Sequence, residues 1–420
     1  MTRYPKMKLY ILGGIVLLYV LLAIIFRIGV DEGILPKTQP TALSFNSAPV
    51  IIPDNSTKAH LDSAIEFFKN NMIRNKGHVD LYIAMDQDSN QSNNSSAIAS
   101  DNRTNSEALS YLLLWSAKAQ DKQTFDEALD FVKTKMQQPN FGYLMWRLEE
   151  NDAVSGDGSN DASDADLRAI KALLIAEKQW HDKNYTDMID RISGGLLKVG
   201  ITDDKYLAPY GGASGTNSTW RAQEVYLSYA DFGVLKELSA RYGEPWITVY
   251  DNMKNATLNA QIANGLYNSQ LTVDRAYGNG IDAGGYSINS LWMMVKNAES
   301  NDTELMASAN KSLAFYKSKF VIDAELYAKY GSDGDALSPS DSIWVYALVG
   351  RAAIALNDKD FADEMILKLI EKQVDDKTSK FYGAFPEGYQ GGNHIGQFTM
   401  QESILTLQDY IASRNQGNQQ

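Results

Sequence analysis

Apolar residues recur every three to four positions along most of the chain after residue 56, which is the period of an α-helix with one buried face. The pattern predicts twelve helices, and no segment shows the strict alternation that is typical of a half-buried strand. The predicted helices lie near residues 57–73, 107–119, 124–138, 164–181, 184–197, 222–241, 246–263, 286–298, 303–318, 342–356, 359–373 and 400–413.

The connections between the predicted helices alternate between short and long. Five hold two to four residues, which makes the joined helices antiparallel neighbours, and six hold 22 to 33 residues. Every long connection precedes an even-numbered helix, so all six lie at one end of the molecule, and loops of this length are usually functional. We therefore predict an all-α (α/α)6 barrel of six helical hairpins. An open solenoid of helical repeats is the alternative, but the chain shows no repeat of fixed period.

The even-numbered helices are predicted to form the inner ring of this barrel. Segments such as LSYLLLW (109–115) and IWVYALVGRAAIAL (343–356) are almost wholly apolar, as expected of helices buried on all sides. The odd-numbered helices keep a charged face for water. The amino ends of the inner helices then meet under the long loops, where their free N–H groups and dipoles favour carboxylates.

An uncharged run of 18 residues, Leu9–Phe26, lies close to the amino terminus and is followed by Arg27. Its length is just sufficient to cross the hydrocarbon core of a bilayer as a helix. No small residues of a cleavage site follow it, so we predict a retained signal-anchor rather than a cleaved signal peptide. The basic residues lie mostly before the run, which predicts a cytoplasmic amino end and an extracellular remainder.

The predicted organisation therefore has three parts. Residues 1–30 form a cytoplasmic tip and transmembrane anchor, residues 31–55 form a tether, and residues 56–420 form the barrel. The predicted location is the cell membrane, as a single-pass protein with the barrel outside the cell. A secreted protein released by cleavage is the alternative.

Composition narrows the chemistry to carboxylates. The chain holds 39 Lys and Arg against 52 Asp and Glu, and a net charge of −13 argues against nucleic acid as a partner. The absence of cysteine excludes disulfides, Cys-ligated zinc, iron–sulfur clusters and thiol nucleophiles. With four histidines we expect neither a metal site nor a cofactor. The oligomeric state is not predicted.

Carboxylates concentrate where two inner helices are predicted to begin. Glu107 lies in the first turn of the second helix, and Asp157, Asp161, Asp164 and Asp166 crowd around the start of the fourth. Four carboxylates at one helix start repel one another unless a cation or hydrogen-bond donor is bound. The sequence therefore predicts a functional site at these two helix starts.

Two other interpretations of these carboxylates stay open. In the first, Ser106 or Ser163 is the N-cap and the acidic residues only complement the helix dipole. In the second, the Asp-rich segment is a calcium loop, although it lacks the Gly at position six and the Glu at position twelve of an EF-hand.

The segment Ala162–Asp166, ASDAD, with the following helix that ends at Trp180, resembles the signature of glycoside hydrolase family 8. Three further segments resemble motifs of that family in the same order: TNSEALSY (104–111), Trp220-Arg221 with Tyr226, and YGEPW (242–246). The first of these carries Ala108 where glycine is usual. The resemblance runs from about residue 60 to residue 300.

The resemblance implies an (α/α)6 barrel and an inverting endo-acting glycosidase for β-1,4-linked polysaccharides. Glu107 matches the general acid, and Asp164 and Asp166 match carboxylates that hold the sugar at the cleavage subsite. The remaining substrate-binding candidates are Trp220, Arg221, Tyr226 and Tyr286. The predicted substrate is a polysaccharide, such as an exopolysaccharide, a glucan or an amino-sugar polymer.

The general base departs from the family pattern. The family commonly reads Y-D-A-x-R at the eighth helix, where this chain has YSINS (286–290), and a serine alone cannot act as a base. We predict that Asp282, which lies between glycines in the preceding loop, is the base; Asp341 and Glu402 are the alternatives. If no carboxylate supplies this function, the protein is a glycan-binding barrel without catalytic activity.

Overall fold

The computed structural model describes residues 54–74, 77–85, 100–154, 156–338, 342–389 and 392–417. The predicted anchor and nearly all of the predicted tether lie outside these ranges. Within these ranges, no helix is both long enough and apolar enough to cross a membrane.

Twelve α-helices occur within the described ranges, and their positions follow the hydrophobic pattern closely. They are α1 Asp54–Asn71, α2 Ser106–Lys118, α3 Lys122–Phe131, α4 Ser163–Trp180, α5 Lys183–Val199, α6 Phe232–Tyr242, α7 Trp246–Asn259, α8 Ile288–Ala298, α9 Thr303–Asp323, α10 Ile343–Ala355, α11 Lys359–Glu371 and α12 Gln397–Gly417. A π-helical turn, Val132–Met136, extends α3.

The even-numbered helices form the inner ring, as predicted. α2 packs on α4, α4 on α6, α8 on α10, α10 on α12, and α12 on α2, which closes the ring. Between α6 and α8 the contact is made by a 3-10 turn, Leu227–Tyr229, that packs on α8. Each inner helix from α2 to α10 also packs on the outer helix that follows it across a short loop. The (α/α)6 barrel is therefore confirmed.

The short loops start four of the outer helices with an aspartate. The side chains of Asp121, Asp182, Asp302 and Asp358 accept backbone N–H groups in the first turns of α3, α5, α9 and α11. This arrangement satisfies N–H groups that have no partner within the helix. In contrast, α4, α8 and α10 begin without a side-chain cap, so their amino ends remain available to polar groups under the long loops.

The predicted caps of α2 and α4 are wrong. Asn105 caps α2 and accepts the Ala108 N–H at 2.8 Å, in place of Ser106. The Ser163 hydroxyl donates to the carbonyl oxygen of Ala208 at 2.7 Å instead of capping its own helix. The serine caps of the alternative interpretation are therefore absent at both helix starts.

One predicted helix begins ten residues too early. The prediction covered residues 222–241, but α6 starts at Phe232, where Asp231 caps it by accepting the Val234 N–H at 3.0 Å. The preceding residues form a strand and the 3-10 turn that fills the gap in the inner ring. The apolar period does not distinguish these forms, because the segment is buried on several sides.

Twelve short strands, which the sequence did not predict, lie within the long connections of the described chain. They are β1 Ile73–Arg74, β2 His78–Val79, β3 Tyr82–Ala84, β4 Thr104–Asn105, β5 Arg147–Leu148, β6 Gly211–Ala213, β7 Thr219–Arg221, β8 Val225–Tyr226, β9 Gln270–Leu271, β10 Tyr277–Gly278, β11 Glu387–Tyr389 and β12 Gly392–Gly396. All their pairings are antiparallel, as in β6 with β7, where Gly212 faces Trp220. Strands of two to five residues are too short to show an alternating pattern.

Two adjacent glycines of α5, Gly194 and Gly195, allow the packing of a long loop on the barrel to be tested. A Cβ at Gly195 would lie 2.4 Å from the backbone nitrogen of Tyr143, whereas a Cβ at the adjacent Gly194 would have nothing within 4 Å. We expect Gly195→Ala to lower the free energy of unfolding by about 1–3 kcal/mol, because the loop must move. Gly194→Ala is expected to raise it by up to about 1 kcal/mol, because alanine favours the helix.

Urea unfolding of the two variants, monitored by circular dichroism, measures both changes. Equal stabilities for the two variants would contradict the close packing of the Tyr143 segment on α5.

Candidate active site

A cavity of about 30 Å³ lies inside the inner ring, and all six inner helices or the residues that flank them contribute to its wall. This volume corresponds to about one water molecule. Four cations face four carboxylates in the wall: Arg168, Lys171, Lys296 and Arg351, with Asp164, Asp231, Glu299 and Glu402. The wall therefore carries no net charge, although the chain as a whole carries −13.

Most of these charges form a continuous chain of ion pairs. Arg351 donates to Glu402 at 2.6 Å and to Glu299 at 2.6 Å, and Lys171 reaches Glu299 at 2.9 Å and Asp231 at 3.0 Å. Burial raises the pKa of Glu299, but Arg351 and Lys171 outweigh it and hold that pKa far below its usual range. Glu299 is therefore held in its ionised form.

Glu107 lies one helical turn before Tyr111, whose ring lines the cavity, so its side chain is on the same face of α2. Burial raises the pKa of Glu107 to about 7, and the charge of Asp164 adds to this effect while Arg168 and Lys296 oppose it. A carboxyl group with a pKa near neutrality is protonated often enough to act as a general acid. The position and the pKa of Glu107 suit it for proton donation.

Asp164 and Asp166 lie in different surroundings. Asp164 lines the cavity, and its Oδ2 accepts a hydrogen bond from Arg168 at 3.0 Å. The Arg168 guanidinium also lies over the ring of Tyr111, with 3.9 Å to its centre. Asp166 is fully buried, does not line the cavity, and accepts the Leu144 N–H at 3.0 Å. Only Asp164 therefore faces the space beside Glu107.

Lys296 differs from the other cations of the cavity, because no carboxylate lies within ion-pair distance of it in the described chain. Its Nζ donates to the carbonyl oxygen of Ser228 at 2.5 Å. Burial, with a contribution from Arg168, lowers the pKa of Lys296 to about 8. The remaining hydrogens of its ammonium group are available inside the cavity.

A second cavity, of about 330 Å³, lies under the long loops next to the start of α4. Trp146, Tyr210 and Tyr229 line it together with Asp161. Tyr229 lies near Asp164 and Glu107, whose charges raise its pKa after the larger effect of burial. Sugar rings stack on aromatic faces of this kind, so this cavity forms an aromatic cleft beside the start of α4.

Two of the predicted aromatic residues border this cleft. Trp220 is 39% exposed and its ring packs edge-on against Tyr210, with 6.1 Å between ring centres. Tyr226 packs against Tyr210 at 6.4 Å and against Tyr229 at 5.3 Å. Arg221 does not share this position, since its guanidinium donates to the carbonyl oxygen of Ile201 at 3.0 Å.

Asp282 lies in the 3-10 turn Gly280–Asp282 that precedes α8, outside the wall of the central cavity. It is 7% exposed, and its Oδ1 accepts a hydrogen bond from Asn289 at 2.9 Å. Asn289 in turn accepts from the hydroxyl of Ser228, whose carbonyl oxygen holds Lys296. Burial raises the pKa of Asp282. A short hydrogen-bonded chain therefore connects Asp282 to the cavity.

The remaining base candidates and Tyr286 have other environments. Both carboxylate oxygens of Glu402 are engaged, by Tyr111, by Trp292 at 3.4 Å and by Arg351, and Glu402 is 1% exposed. Glu402 is therefore engaged in the polar network of the cavity wall. Asp341 lies outside the described residues. Tyr286 is 7% exposed and donates to Asn268 at 3.3 Å.

Sequence reasoning missed the cations of the cavity. Arg168 follows Asp164 by four residues, which places both side chains on one face of a helix. Arg351 stands alone in an otherwise apolar segment, and such a charge needs a buried partner. Both patterns can be recognised in the sequence. The partners that these two arginines have on other helices cannot. No group of three or more His, Asp or Glu residues in the described ranges could hold a metal ion.

The model of glycosyl hydrolases family 8 matches residues 50–302. The chain belongs to this family. An endoglucanase of Escherichia coli K12 is 27% identical over 167 residues, which are 37% of this chain and 43% of that protein. Endoglucanase C of Ruminiclostridium cellulolyticum is 30% identical over 140 residues, which are 31% of this chain and 29% of that protein. The chain therefore spans less than half the length of these curated relatives.

Solved structures resemble the family 8 chain over a longer range. A novel α-amylase from Clostridium perfringens has a TM-score of 0.71 and 25% identity, and the match covers 86% of this chain and 100% of that one. A family 8 endoglucanase from Klebsiella pneumoniae has a TM-score of 0.55 and 18% identity, covering 82% of this chain and 99% of that one. The second likeness concerns the fold alone.

Lys296→Met tests the electrostatics of the site. Lys296 is one of the cations that hold the pKa of Glu107 down, so its loss is expected to raise that pKa by about 0.5–1 unit. The measurement is a titration of the Glu107 carboxyl carbon by NMR in protein with labelled glutamate. Lys236→Met, which removes the same charge from an exposed position on α6, is expected to leave the pKa unchanged. An unchanged pKa in Lys296→Met would show that Lys296 does not act on Glu107.

Proposed function

We propose that the chain is an inverting endo-acting glycoside hydrolase that cleaves a β-1,4-linked polysaccharide, such as an exopolysaccharide, a glucan or an amino-sugar polymer. The observation that carries this proposal is Glu107, a half-buried carboxyl group with a pKa of about 7 at the mouth of a family 8 barrel. The aromatic cleft beside it supports a sugar chain rather than a single small molecule.

In the proposed mechanism, Glu107 donates its proton to the departing glycosidic oxygen. Asp164 is fixed by Arg168 through one oxygen and is proposed to contact a sugar hydroxyl at the cleavage position above the cavity. Asp282 accepts the proton of the attacking water on the opposite face of the sugar. An inverting pair needs a separation of roughly 6.5–9.5 Å between the two carboxyl groups to admit that water.

The charge balance of the cavity supports an uncharged sugar at the cleavage position. With Glu107 protonated, the four cations and four carboxylates of the wall cancel. A uronic acid or a protonated amino sugar would add an unpaired charge to a buried site, which is costly. A neutral glucan or an N-acetylated amino-sugar chain fits the site without that cost.

An α-linked glucan is the second candidate substrate. The Clostridium perfringens α-amylase matches this chain with 25% identity and a TM-score of 0.71, both higher than the 18% and 0.55 of the Klebsiella pneumoniae endoglucanase. Ser287 also stands at the position where the family commonly has an aspartate as general base, so the base of this site departs from the family pattern. A substrate panel therefore needs α-1,4-glucan as well as β-linked polymers.

The barrel is further proposed to work outside the cell, held to the membrane by Leu9–Phe26. The uncharged length of this run and the basic residues before it support an anchor. An anchored hydrolase is well placed to trim a polysaccharide as it leaves the producing cell.

Glu107→Gln is expected to lower kcat at least about 100-fold, because glutamine cannot donate the proton to the leaving group. The measurement is reducing-end release from cellulose, mixed-linkage glucan, xylan, N-acetylated hexosamine polymer and starch. Glu66→Gln, an exposed change on α1, serves as the matched control and is expected to retain full activity. For the wild type, kcat/KM is expected to fall above about pH 7, as Glu107 loses its proton.

Three outcomes of this experiment separate the hypotheses. Unchanged release by Glu107→Gln contradicts the assignment of the acid. Binding of an oligosaccharide without any release by the wild type supports the non-catalytic barrel. Asp282 is supported as the base if NMR shows inversion by the wild type and Asp282→Asn loses activity. Full activity in Asp282→Asn would rule out Asp282 as the base.

Deletion of residues 1–30 tests the anchor. The full chain is expected to remain in the membrane fraction after an alkaline wash, and the deleted form is expected to lose membrane attachment. A mature amino terminus found beyond residue 26 would instead show cleavage and secretion.

A further inference from the structure

Arg168 on α4 also reaches the neighbouring helix α2. One guanidinium nitrogen donates to Oδ2 of Asp164 at 3.0 Å, and a second donates to the hydroxyl oxygen of Ser110 at 3.1 Å. The guanidinium carbon lies over the ring of Tyr111, 3.9 Å from the ring centre. Three contacts with two helices therefore hold this side chain in one place.

The Ser110 hydroxyl extends this contact to the residue that is proposed to donate the proton. It donates its hydrogen to the backbone carbonyl oxygen of Glu107 at 2.9 Å and accepts from Arg168 with a lone pair. A path of three hydrogen bonds therefore runs from the carboxylate of Asp164, through the side chains of Arg168 and Ser110, to the backbone that carries Glu107. The path crosses from α4 to α2 close to the starts of both helices.

This path is enclosed in the barrel. Asp164 is 5% exposed, Arg168 is 7% exposed and Ser110 is fully buried. A buried donor or acceptor that loses its partner costs free energy, so the members of the path cannot separate without a penalty. Arginine suits this position because its planar group presents several N–H donors in fixed directions and stacks on aromatic rings, whereas the ammonium group of lysine is a point charge.

We propose that Arg168 is a positioning residue that sets the separation between the carboxyl groups of Glu107 and Asp164. The catalytic consequence rests on the proposed function, in which Glu107 protonates the glycosidic oxygen while Asp164 contacts the same sugar. The two carboxyl groups lie on different helices, so their relative position depends on a contact between these helices. A displacement of about 1 Å at a reacting group can cost about 100-fold in rate.

Arg168 also acts through its charge, and this effect must be separated from its position. Its charge lowers the pKa of Glu107 against the larger effect of burial. The charged or titratable groups that interact with Arg168 come from five parts of the barrel: Glu107 and Tyr111 on α2, Asp164 on α4, Tyr229 before α6, Lys296 on α8 and Glu402 on α12. Arg168→Lys keeps the charge but removes the second donor direction, so this variant separates the two effects.

A double-mutant cycle tests the link between the helices without a substrate. Ser110→Ala removes the acceptor of a buried Arg168 nitrogen and is expected to lower Tm by about 1–4 °C. In the Arg168→Met background no guanidinium nitrogen is left without an acceptor, so Ser110→Ala is expected to change Tm by less than about 1 °C. Equal changes in the two backgrounds would overturn the link.

Ser116→Ala is the matched control for this cycle. Ser116 is also buried on α2, and its hydroxyl donates to the carbonyl oxygen of Leu112 at 2.6 Å, within the same helix. Its substitution is expected to change Tm equally in both backgrounds. If Arg168→Met does not fold, Arg168→Met with Asp164→Asn provides the second background, because the combined change leaves no unpaired charge on this pair.

Arg168→Lys tests the catalytic consequence on the polysaccharide that the wild type cleaves. We expect kcat to fall about 10-fold or more while KM changes less than about threefold, because the aromatic cleft is unchanged. The pKa of Glu107, measured by NMR, is expected to stay within about 0.3 unit of the wild type, because the charge is kept. Arg191→Lys, an exposed change of the same kind on α5, is expected to retain full activity.

Full kcat in Arg168→Lys would overturn the positioning role. A fall in kcat that follows a shifted pKa of Glu107 would overturn it as well, because charge rather than position would then be responsible. Failure of the proposed function has a different signature, since the wild type itself would release no sugar from any polymer. That result would contradict the catalytic consequence, whereas the unfolding cycle decides the link between the helices in either case.

Discussion

The chain of buried and part-buried ion pairs through the axis of the barrel is the constraint on which the arrangement of the inner helices depends. It passes from Asp231 before α6 to Lys171 on α4, Glu299 after α8, Arg351 on α10 and Glu402 on α12. Tyr111 adds α2 by donating to Glu402. Every inner helix is therefore joined to this chain. A buried ion that loses its partner costs about 3–5 kcal/mol, so each helix must keep its register with the next.

This network also explains how an acidic protein can maintain a neutral cavity. The cations and carboxylates that surround the cavity are equal in number, so the large negative charge of the chain belongs to other parts of the molecule. Glu107 is the carboxyl group at the edge of the cavity whose burial favours the protonated form near neutral pH. Glu299, which cations hold in its ionised form, and Glu107, which burial makes easy to protonate, thus lie close together because their surroundings differ.

The hydrophobic pattern was sufficient to predict twelve helices and the inner position of the even-numbered ones. It failed at residues 222–231, where a buried strand and a 3-10 turn carry the same apolar residues as a helix. It also failed for the short strands, which owe their form to a neighbouring segment rather than to their own residues. The motif that contains Asp164 and Asp166 was visible in the sequence, but the two side chains point into different environments that the motif does not distinguish.

The sequence by itself determined the number and order of the helices, the location of the long loops and the presence of Glu107 and Asp164 at two helix starts. These properties depend on local periodicity and on residue type, both of which can be read along the chain. Only the tertiary structure decided which cation pairs with which carboxylate, that Asp166 is buried behind the cavity, and that Lys296 has no carboxylate partner within ion-pair distance in the described chain. The reason is that pairing and burial join residues that lie far apart in the chain, such as Tyr111 and Glu402, which are 291 positions apart.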